Sequence, residues 1–281
     1  MIAIVRVPPS RITSPANPRI KAAVRLRDRG ERESTGLTLV DGGRELLRAL
    51  DAGIPVREAF VCAELIRAGD VAEAIERLRQ AGVVLLDVSP PVFAKVAFGG
   101  RAEGVVAVVE IPSADLSAVH LPTDPLILVV EGVEKPGNLG AILRSADGAG
   151  ADAVVAASSR TDLFNPNTVR ASLGTIFAVP IAAASTEKVL AWLRVHDIRI
   201  LAARPDAGRL ATEVDLTGPI AIAVGAEADG LGGGWNAPDV LAVRIPMLGV
   251  ADSLNVASAS AVLLYEARRQ RGVDAPSGGR R

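Results

Sequence analysis

The chain has 281 residues, 49% of them hydrophobic, and its formal net charge at pH 7 is -1. This length allows one large domain or two ordinary ones with a sizeable core. The near-neutral charge excludes a polycationic chain, so binding to nucleic acid would need a local basic patch. The single cysteine, Cys62, excludes an internal disulfide framework. No apolar run is long enough to span a membrane, and Met1–Ala3 does not open a signal peptide, so we expect a cytoplasmic protein.

The first half of the chain is predicted to contain a basic extension, residues 1–34, followed by a small α/β domain, residues 35–110. Strands and helices alternate in this domain, as is typical of an α/β unit. Residues 111–124 are rich in Pro, Ser and Asp without periodicity and are interpreted as an interdomain linker. The predicted strands are 37–40, 56–62, 83–88 and 104–110, and the predicted helices are 43–53, 70–82 and 90–98.

The second half, residues 125–273, is predicted to be a larger α/β domain. Its strands are nearly continuous apolar runs, which favours a parallel sheet covered on both faces. Residues 274–281 are expected to be a flexible tail. The predicted strands are 126–133, 152–157, 176–181, 198–203, 219–225 and 241–246, and the predicted helices are 138–149, 185–196 and 255–271.

Several common chemistries lack their sequence signals. No G-x-G-x-x-G fingerprint follows the first strand of the second half, which disfavours a dehydrogenase, and no phosphate-binding P-loop is found. The two histidines, His120 and His196, have no partner at the spacing of metal ligands. We therefore expect no metal site and no hydrolase triad.

Three other segments combine glycine turns with polar side chains at the ends of predicted elements. They are "KPGNLGAILRSADGAGA" at 135–151, "AVGAEADGLGG" at 223–233 and "IPMLGVADSLNV" at 245–256. In the first segment Asn138 is predicted to cap a helix that carries Arg144. Taken alone, each segment also fits a plain structural role, such as a capped helix or a strand that runs into a loop.

Taken together, these segments resemble the SPOUT class of RNA methyltransferases, and specifically the SpoU/TrmH-type ribose 2′-O-methyltransferases. The family's first motif, N-x-G-x-[aliphatic]-x-R, is met by Asn138, Gly140, Ile142 and Arg144. Its second, G-x-E-x-x-G-L, is met by Gly225, Glu227, Gly230 and Leu231. Its third, I-P-M-x-G-x-x-x-S-L-N-V, runs from Ile245 to Val256, and an intervening P…R-x-S-x-G…P segment is met by Pro166, Arg170, Ser172, Gly174 and Pro180.

The chain departs from the family pattern at two positions. Lys135 stands where an acidic residue often precedes the proline, and Ala228 stands where glycine often follows the glutamate. Neither departure removes a side chain that is expected to take part in the chemistry, so they bear on the subfamily and its substrate.

The resemblance implies a parallel-sheet domain with a deep trefoil knot, a very rare topology, preceded by an L30e-like RNA-binding domain. It also implies that the knot binds S-adenosylmethionine (AdoMet), mainly through backbone groups and apolar contact with the adenine. The residues that match the family's cofactor-binding positions, or lie beside them, are Gly225, Ile245, Leu254, Met247 and Leu231.

The implied reaction is attack of a ribose 2′-hydroxyl on the methyl group of AdoMet. In the family, the arginine that matches Arg144 is proposed as the base. Because guanidinium groups resist deprotonation, two roles stay open for Arg144: an activated base, or a clamp on the phosphate beside the target ribose. The residues expected to orient the arginine and the hydroxyl are Asn138, Glu227, Ser253 and Asn255.

The expected partners are RNA and a second copy of the chain, because the active site of this family is commonly completed across a dimer interface. The expected substrate is ribosomal (23S) RNA, with transfer RNA as the alternative. A knotted RNA-binding protein without activity is the alternative from a different class. The residues expected to bind RNA are Arg19, Arg25, Arg27, Arg29 and Arg170.

Overall fold

The computed structural model describes residues 11–67, 69–98, 102–158, 162–226 and 230–272. The chain forms two compact units. Unit 1 contains the described residues up to Pro112 together with Phe164–Ala178, and unit 2 contains Ser113–Leu163 and the described residues from Val179 onward. Within the described ranges, no helix has the length and apolar character that a membrane crossing requires. The predicted tail, residues 274–281, lies outside them.

Unit 1 is built on a mixed sheet of four strands in the order β1-β4-β2-β3. Strand β4 is antiparallel to both of its neighbours, while β2 and β3 are parallel. Apart from small shifts at their ends, these elements agree with the prediction. The elements of this region are β1 Leu37–Asp41, α3 Gly43–Asp51, β2 Val56–Val61, α4 Asp70–Gln80, β3 Val84–Asp87, α5 Pro90–Val96 and β4 Val105–Glu110.

Two helices precede this sheet in the segment that was predicted only as a basic extension. They are α1, Pro18–Arg25, and α2, Arg29–Thr35. Asn17 and Asp28 cap their N-termini through side-chain hydrogen bonds. The apolar face of α1, with Ile20 fully buried, joins the core of unit 1. From Pro18 onward the Arg-rich stretch is therefore a folded helical layer, in which Arg19, Arg25, Arg27 and Arg29 face solvent and Arg32 is buried.

The segment Phe164–Ala178 leaves the second half of the chain and packs with unit 1. It contains helix α7, Pro166–Ala171, which the sequence analysis did not predict and which contacts β1. The Thr38 hydroxyl donates a hydrogen bond of 2.7 Å to the carbonyl of Phe164. The Arg170 guanidinium forms an ion pair of 3.1 Å with the fully buried carboxylate of Asp41. Burial raises the pKa of Asp41 to about 6 even with Arg170 beside it.

Unit 2 is built on a six-stranded sheet in the order β10-β8-β9-β5-β6-β7. All of its strand pairs are parallel, and helices cover both faces, as predicted. Helices α6 and α9 pack against each other on one side of the sheet. The elements are β5 Leu126–Glu131, α6 Pro136–Ala149, β6 Ala153–Ala157, β7 Ile181–Ala184, α8 Thr186–Val195, β8 Arg199–Ala203, β9 Ile220–Gly225, β10 Val240–Val243 and α9 Val256–Arg271.

One strand prediction for this half was wrong. The strand predicted at 176–181 is a short 3-10 turn, Thr175–Phe177, and strand β7 begins only at Ile181. Gly174 adopts a left-handed φ of 80°, and Pro180 cannot donate a hydrogen bond to a sheet, so no strand extends through this stretch. Within the segment predicted as a linker, Leu116 and Leu121 pack against the apolar core of unit 2.

The Arg170–Asp41 pair gives the first prediction. Arg170→Ala should lower the free energy of unfolding by roughly 2–3 kcal/mol at about pH 8, because it leaves a buried carboxylate without its cation. The loss should shrink as the pH falls through about 6, since Asp41 is then protonated in the folded protein and no longer needs a counter-charge. Urea denaturation across this pH range measures both effects.

Arg19→Ala is the matched control, because its ion pair with Glu58 lies at the surface and should contribute less than about 1 kcal/mol. A loss that is equal for the two variants, or independent of pH for Arg170→Ala, would show that the buried pair does not stabilise unit 1.

Candidate active site

A cleft opens in unit 2 at the carboxyl ends of β8 and β9, beside the loop that follows β10 and the start of α9. Ligands of open parallel sheets bind in this position, outside the carboxyl ends of the strands. Its lining is mainly apolar, with a few polar groups, as in most sites for small organic molecules. The cleft is lined by Ala203, Arg204, Pro205, Val224, Gly225, Ala226, Gly230, Ile245, Met247, Asp252, Ser253, Leu254, Val256 and Ala259.

The shape of the cleft depends on Gly225, the last residue of β9. A side chain at this position would overlap with the backbone of Gly230 and Leu231, so the turn after β9 folds directly back over the glycine. The amide of Gly230 closes this turn by donating a hydrogen bond of 2.9 Å to the carbonyl of Ala226. Gly230 itself has a left-handed φ of 63°. Only glycine at 225 therefore allows the turn to form this wall of the cleft.

Glu131, which the sequence analysis missed, holds the chain that follows this turn. It ends β5 and is paired in register with Gly225. Its carboxylate accepts a hydrogen bond of 2.6 Å from the amide of Gly232 and another from the hydroxyl of Thr186. An acidic residue at the carboxyl end of a central parallel strand was the signal that could have identified it.

Asn138 and Asn255 come together at the starts of α6 and α9. The Asn255 amide nitrogen lies 3.4 Å from the Asn138 side-chain oxygen, at the long limit of a hydrogen bond. Asn255 also caps α9 by accepting a hydrogen bond of 2.9 Å from the amide of Ala257. The prediction that Asn138 caps α6 was wrong, because the helix begins at Pro136, whose ring is suited to the first helical position. The Asn138 side chain is therefore available for Asn255.

The remaining predicted catalytic residues have different surroundings. Arg144 lies exposed on α6, and within the described part of the chain no carboxylate forms an ion pair with it. Ser253 is exposed and lines the cleft. Glu227 lies outside the described residues.

Most of the predicted cofactor residues line the cleft: Gly225, Ile245, Met247 and Leu254. Leu231 instead packs against the apolar core of unit 2. Two charged residues of the lining, Arg204 and Asp252, were not predicted from the sequence. Arg204 directly follows the carboxyl end of a parallel strand, which is the signal that could have identified it.

Residues 125–265 match the model of the SpoU rRNA methylase family. The chain belongs to this family. Residues 17–107 also match the model of the MRM3-like substrate binding domain, which covers most of the first half of the chain.

Relatives in this family are similar over nearly the whole chain. A 23S rRNA (uridine(2479)-2′-O)-methyltransferase of Streptomyces viridochromogenes is 31% identical over 88% of this chain and 87% of its own length. A solved RNA 2′-O ribose methyltransferase is 44% identical, with a TM-score of 0.82 over 93% of this chain and 99% of its own. An AdoMet-bound rRNA methyltransferase of Sinorhizobium meliloti is 30% identical, with a TM-score of 0.83 over 92% of this chain and 97% of its own.

The close approach at Gly225 gives the second prediction. In Gly225→Ala the new methyl group must displace the turn that carries Gly230, which should weaken binding of AdoMet about tenfold or more. Titration calorimetry measures the affinity, and thermal unfolding checks that the variant is folded. The substitution acts through the turn, so even this smallest of side chains should have the effect.

Gly249→Ala is the control in the neighbouring loop, because nothing lies within 4 Å of the added methyl group. Its affinity for AdoMet should equal that of the wild type. A folded Gly225→Ala protein with unchanged affinity would refute the role of this contact.

Proposed function

We propose that the protein transfers the methyl group of AdoMet to a ribose 2′-hydroxyl of 23S ribosomal RNA. The observation that carries this proposal is the cleft at the carboxyl ends of β8 and β9, with Asn138 and Asn255 beside it, in a chain of the SpoU rRNA methylase family. The names of the similar proteins support both the ribose hydroxyl and the ribosomal RNA. Only RNA offers a 2′-hydroxyl as the acceptor.

The residues of the cleft fit AdoMet. Val224, Ile245 and Leu254 offer an apolar surface for a flat base such as adenine. Arg204 lines the cleft, and among the described residues no carboxylate pairs with it, so its guanidinium group can serve a polar ligand. When bound, AdoMet supplies an electrophilic methyl group on a sulfonium centre.

The polar side chains around the cleft supply orientation and proton transfer. Arg144 either accepts the proton of the 2′-hydroxyl or binds the adjoining phosphate, and its exposure leaves it open to RNA. Asn138, Ser253 and Asn255 orient the arginine and the hydroxyl, and Glu227 shares this role. Such positioning of the reacting groups accounts for a large part of the rate of a direct methyl transfer.

The finer features of the fold belong to the same proposal. Strand β10 is at one edge of the sheet, yet the chain then runs past the cleft to α9, which packs against α6 and contacts β9 and β5 near the middle. This path supports a trefoil knot in which the C-terminal segment passes through a preceding loop. The mixed sheet of unit 1 supports an L30e-like domain that binds RNA.

The protein is proposed to act as a homodimer. Unit 2 exposes large apolar side chains on α9 and on the loop before it, which a partner would cover. These are Val262, exposed by 46%, Tyr265 by 53%, Leu248 by 98% and Val250 by 105% of their reference surface.

The RNA contacts of unit 1 are best supported at its lysines. The arginines predicted for this role already have internal partners: Arg19, Arg25 and Arg29 pair with glutamates, and Arg27 bonds to carbonyls at the end of α5. Lys21 and Lys95 are exposed, and within the described part of the chain neither ammonium group forms an ion pair. With Arg25 they line a depression that also contains Pro15, Ile20 and Val24. Its two lysines suit phosphates and its apolar floor suits a base.

The third prediction tests the reaction. The purified protein should transfer label from AdoMet to 23S rRNA and not to transfer RNA, with the methyl group mapped to a ribose 2′-oxygen. Arg144→Ala should lower turnover about a hundredfold or more, the usual scale for a positioned acid–base group, and leave AdoMet binding nearly unchanged. Labelling of transfer RNA alone would favour the alternative substrate, and near wild-type turnover of Arg144→Ala would exclude Arg144 from the chemistry.

Arg144→Lys separates the two roles of this residue. If Arg144 binds a phosphate, the lysine keeps the positive charge but cannot form two parallel hydrogen bonds. A partial loss of turnover with an unchanged pH profile is then expected. If Arg144 is the base, the lysine loses its proton more readily than arginine does, so the pH profile of the turnover rate should shift.

The fourth prediction tests the lysines of unit 1. The double variant Lys21→Ala/Lys95→Ala should bind 23S rRNA about tenfold more weakly, and the slope of log K against log salt should fall by roughly 1.4 to 1.8, for two lost phosphate contacts. Filter binding at several salt concentrations measures both. AdoMet affinity should be unchanged.

Lys188→Ala is the matched control, because Lys188 is an exposed lysine on α8 of unit 2. It removes one positive charge of the same kind outside the depression. If the control lowers the salt slope as much per charge as the double variant, the binding surface is not where we infer it.

A further inference from the structure

Among the described residues that line the cleft of unit 2, one side chain is positively charged, Arg204, and one is negatively charged, Asp252. Arg204 directly follows β8, and its backbone amide donates a hydrogen bond of 2.8 Å to the carbonyl of Val243 at the end of β10. The base of the side chain is therefore held between two strand ends. Asp252 belongs to the loop between β10 and α9 and is exposed.

The charge of Arg204 is not used within the described part of the chain. Its Nη2 donates a hydrogen bond of 3.3 Å to the carbonyl of Leu231, which is a neutral acceptor at a long distance. Its Nε is buried and has no hydrogen-bond partner. Among the described residues no carboxylate forms an ion pair with it, Asp252 included. A guanidinium group that lines a cleft without an acidic partner is suited to bind an anionic group of a ligand.

The chemistry of the cofactor matches this pair of charges. The methionine end of AdoMet is a zwitterion, with a carboxylate and an ammonium group on one carbon. The carboxylate is the single anionic group of the molecule, and guanidinium groups bind carboxylates through two parallel hydrogen bonds. An acidic side chain in the same cleft suits the ammonium group.

We propose that Arg204 binds the carboxylate of the methionine end of AdoMet and that Asp252 binds its ammonium group. This inference rests on the proposed cofactor and goes further by assigning the charged end of the ligand. The apolar residues Ile245 and Leu254 then serve the adenosine end, and the two charges select cofactors that carry an intact amino acid.

The experiment compares three ligands by titration calorimetry, so it does not depend on activity. S-adenosylhomocysteine carries both charged groups, S-adenosyl-3-thiopropylamine lacks the carboxylate, and 5′-methylthioadenosine lacks the whole amino-acid end. Arg204→Met should weaken the binding of S-adenosylhomocysteine by about thirtyfold or more. The affinities for the other two ligands should stay within about twofold of the wild-type values. Asp252→Asn should weaken the binding of S-adenosylhomocysteine and of S-adenosyl-3-thiopropylamine, which both carry the ammonium group, and leave the affinity for 5′-methylthioadenosine unchanged.

Two further variants control for folding and for charge. Arg204→Lys keeps the positive charge but cannot form two parallel hydrogen bonds to a carboxylate. Its affinity for S-adenosylhomocysteine should therefore lie between those of the wild type and Arg204→Met. Arg209→Met removes an exposed arginine of the same loop that does not line the cleft, and all three affinities should stay at the wild-type level. Retained binding of 5′-methylthioadenosine shows that each variant is folded at the cleft.

The outcomes separate this inference from the proposed function. If the wild-type protein binds no S-adenosylhomocysteine, the proposed function and the inference are both overturned. If the wild type binds it but Arg204→Met weakens all three ligands equally, or none of them, the carboxylate is bound elsewhere and only the inference fails.

Discussion

The site depends first on the close approach of two backbone segments at Gly225. The turn after β9 folds back so tightly that no side chain fits between it and the strand. This contact forms one wall of the cleft and determines where Leu231 and the residues after it continue. Glu131 then fixes the continuing chain by accepting a hydrogen bond from the amide of Gly232. A backbone held in this way presents carbonyl and amide groups at fixed positions, which suits recognition of a small ligand.

The packing of α9 against α6 brings the second part of the site together. Asn138 and Asn255 are 117 residues apart in the chain, yet each lies in the first turn, or at the cap, of one of these helices. Their contact follows from the helix packing rather than from either segment alone. Arg144 is carried on the same α6, one to two turns further along. The helix pair therefore sets the geometry of the polar residues, while the strand ends set the shape of the cleft.

Charge is used differently in the two units, and this difference indicates where ligands bind. Most arginines of the N-terminal helices are satisfied by glutamates or carbonyls of unit 1, and Arg170 neutralises a buried carboxylate. These cations contribute to the stability of the fold and are less available to bind a ligand. Within the described residues, Lys21 and Lys95 at the surface of unit 1 and Arg204 in the cleft have no such acidic partner. A charge that the folded chain leaves uncompensated is a better guide to a binding surface than the density of basic residues in the sequence.

Most of the architecture of both units could be predicted from the sequence, because strands buried in parallel sheets read as continuous apolar runs and the helices between them are amphipathic. The order and spacing of the motifs around Asn138, Gly225 and Ser253 also identified the family. The early helix α1 was missed although Asn17 and Pro18 are a usual start signal, since the basic residues masked its apolar face.

The rest was decided by tertiary contacts that no local pattern records. Ile176 and Phe177 have the composition of a strand, but the glycine before them and the proline after them stop a ladder from forming, and their burial is achieved in a helical turn. Arg170 looks like an RNA contact in sequence and is an internal counter-ion only because Asp41, 129 residues away, is buried beside it. Similarly, the orphaned Nε of Arg204 exists only in the folded cleft. The sequence determined which segments fold and to which family they belong, whereas long-range packing decided which polar groups are satisfied internally and which remain for a ligand.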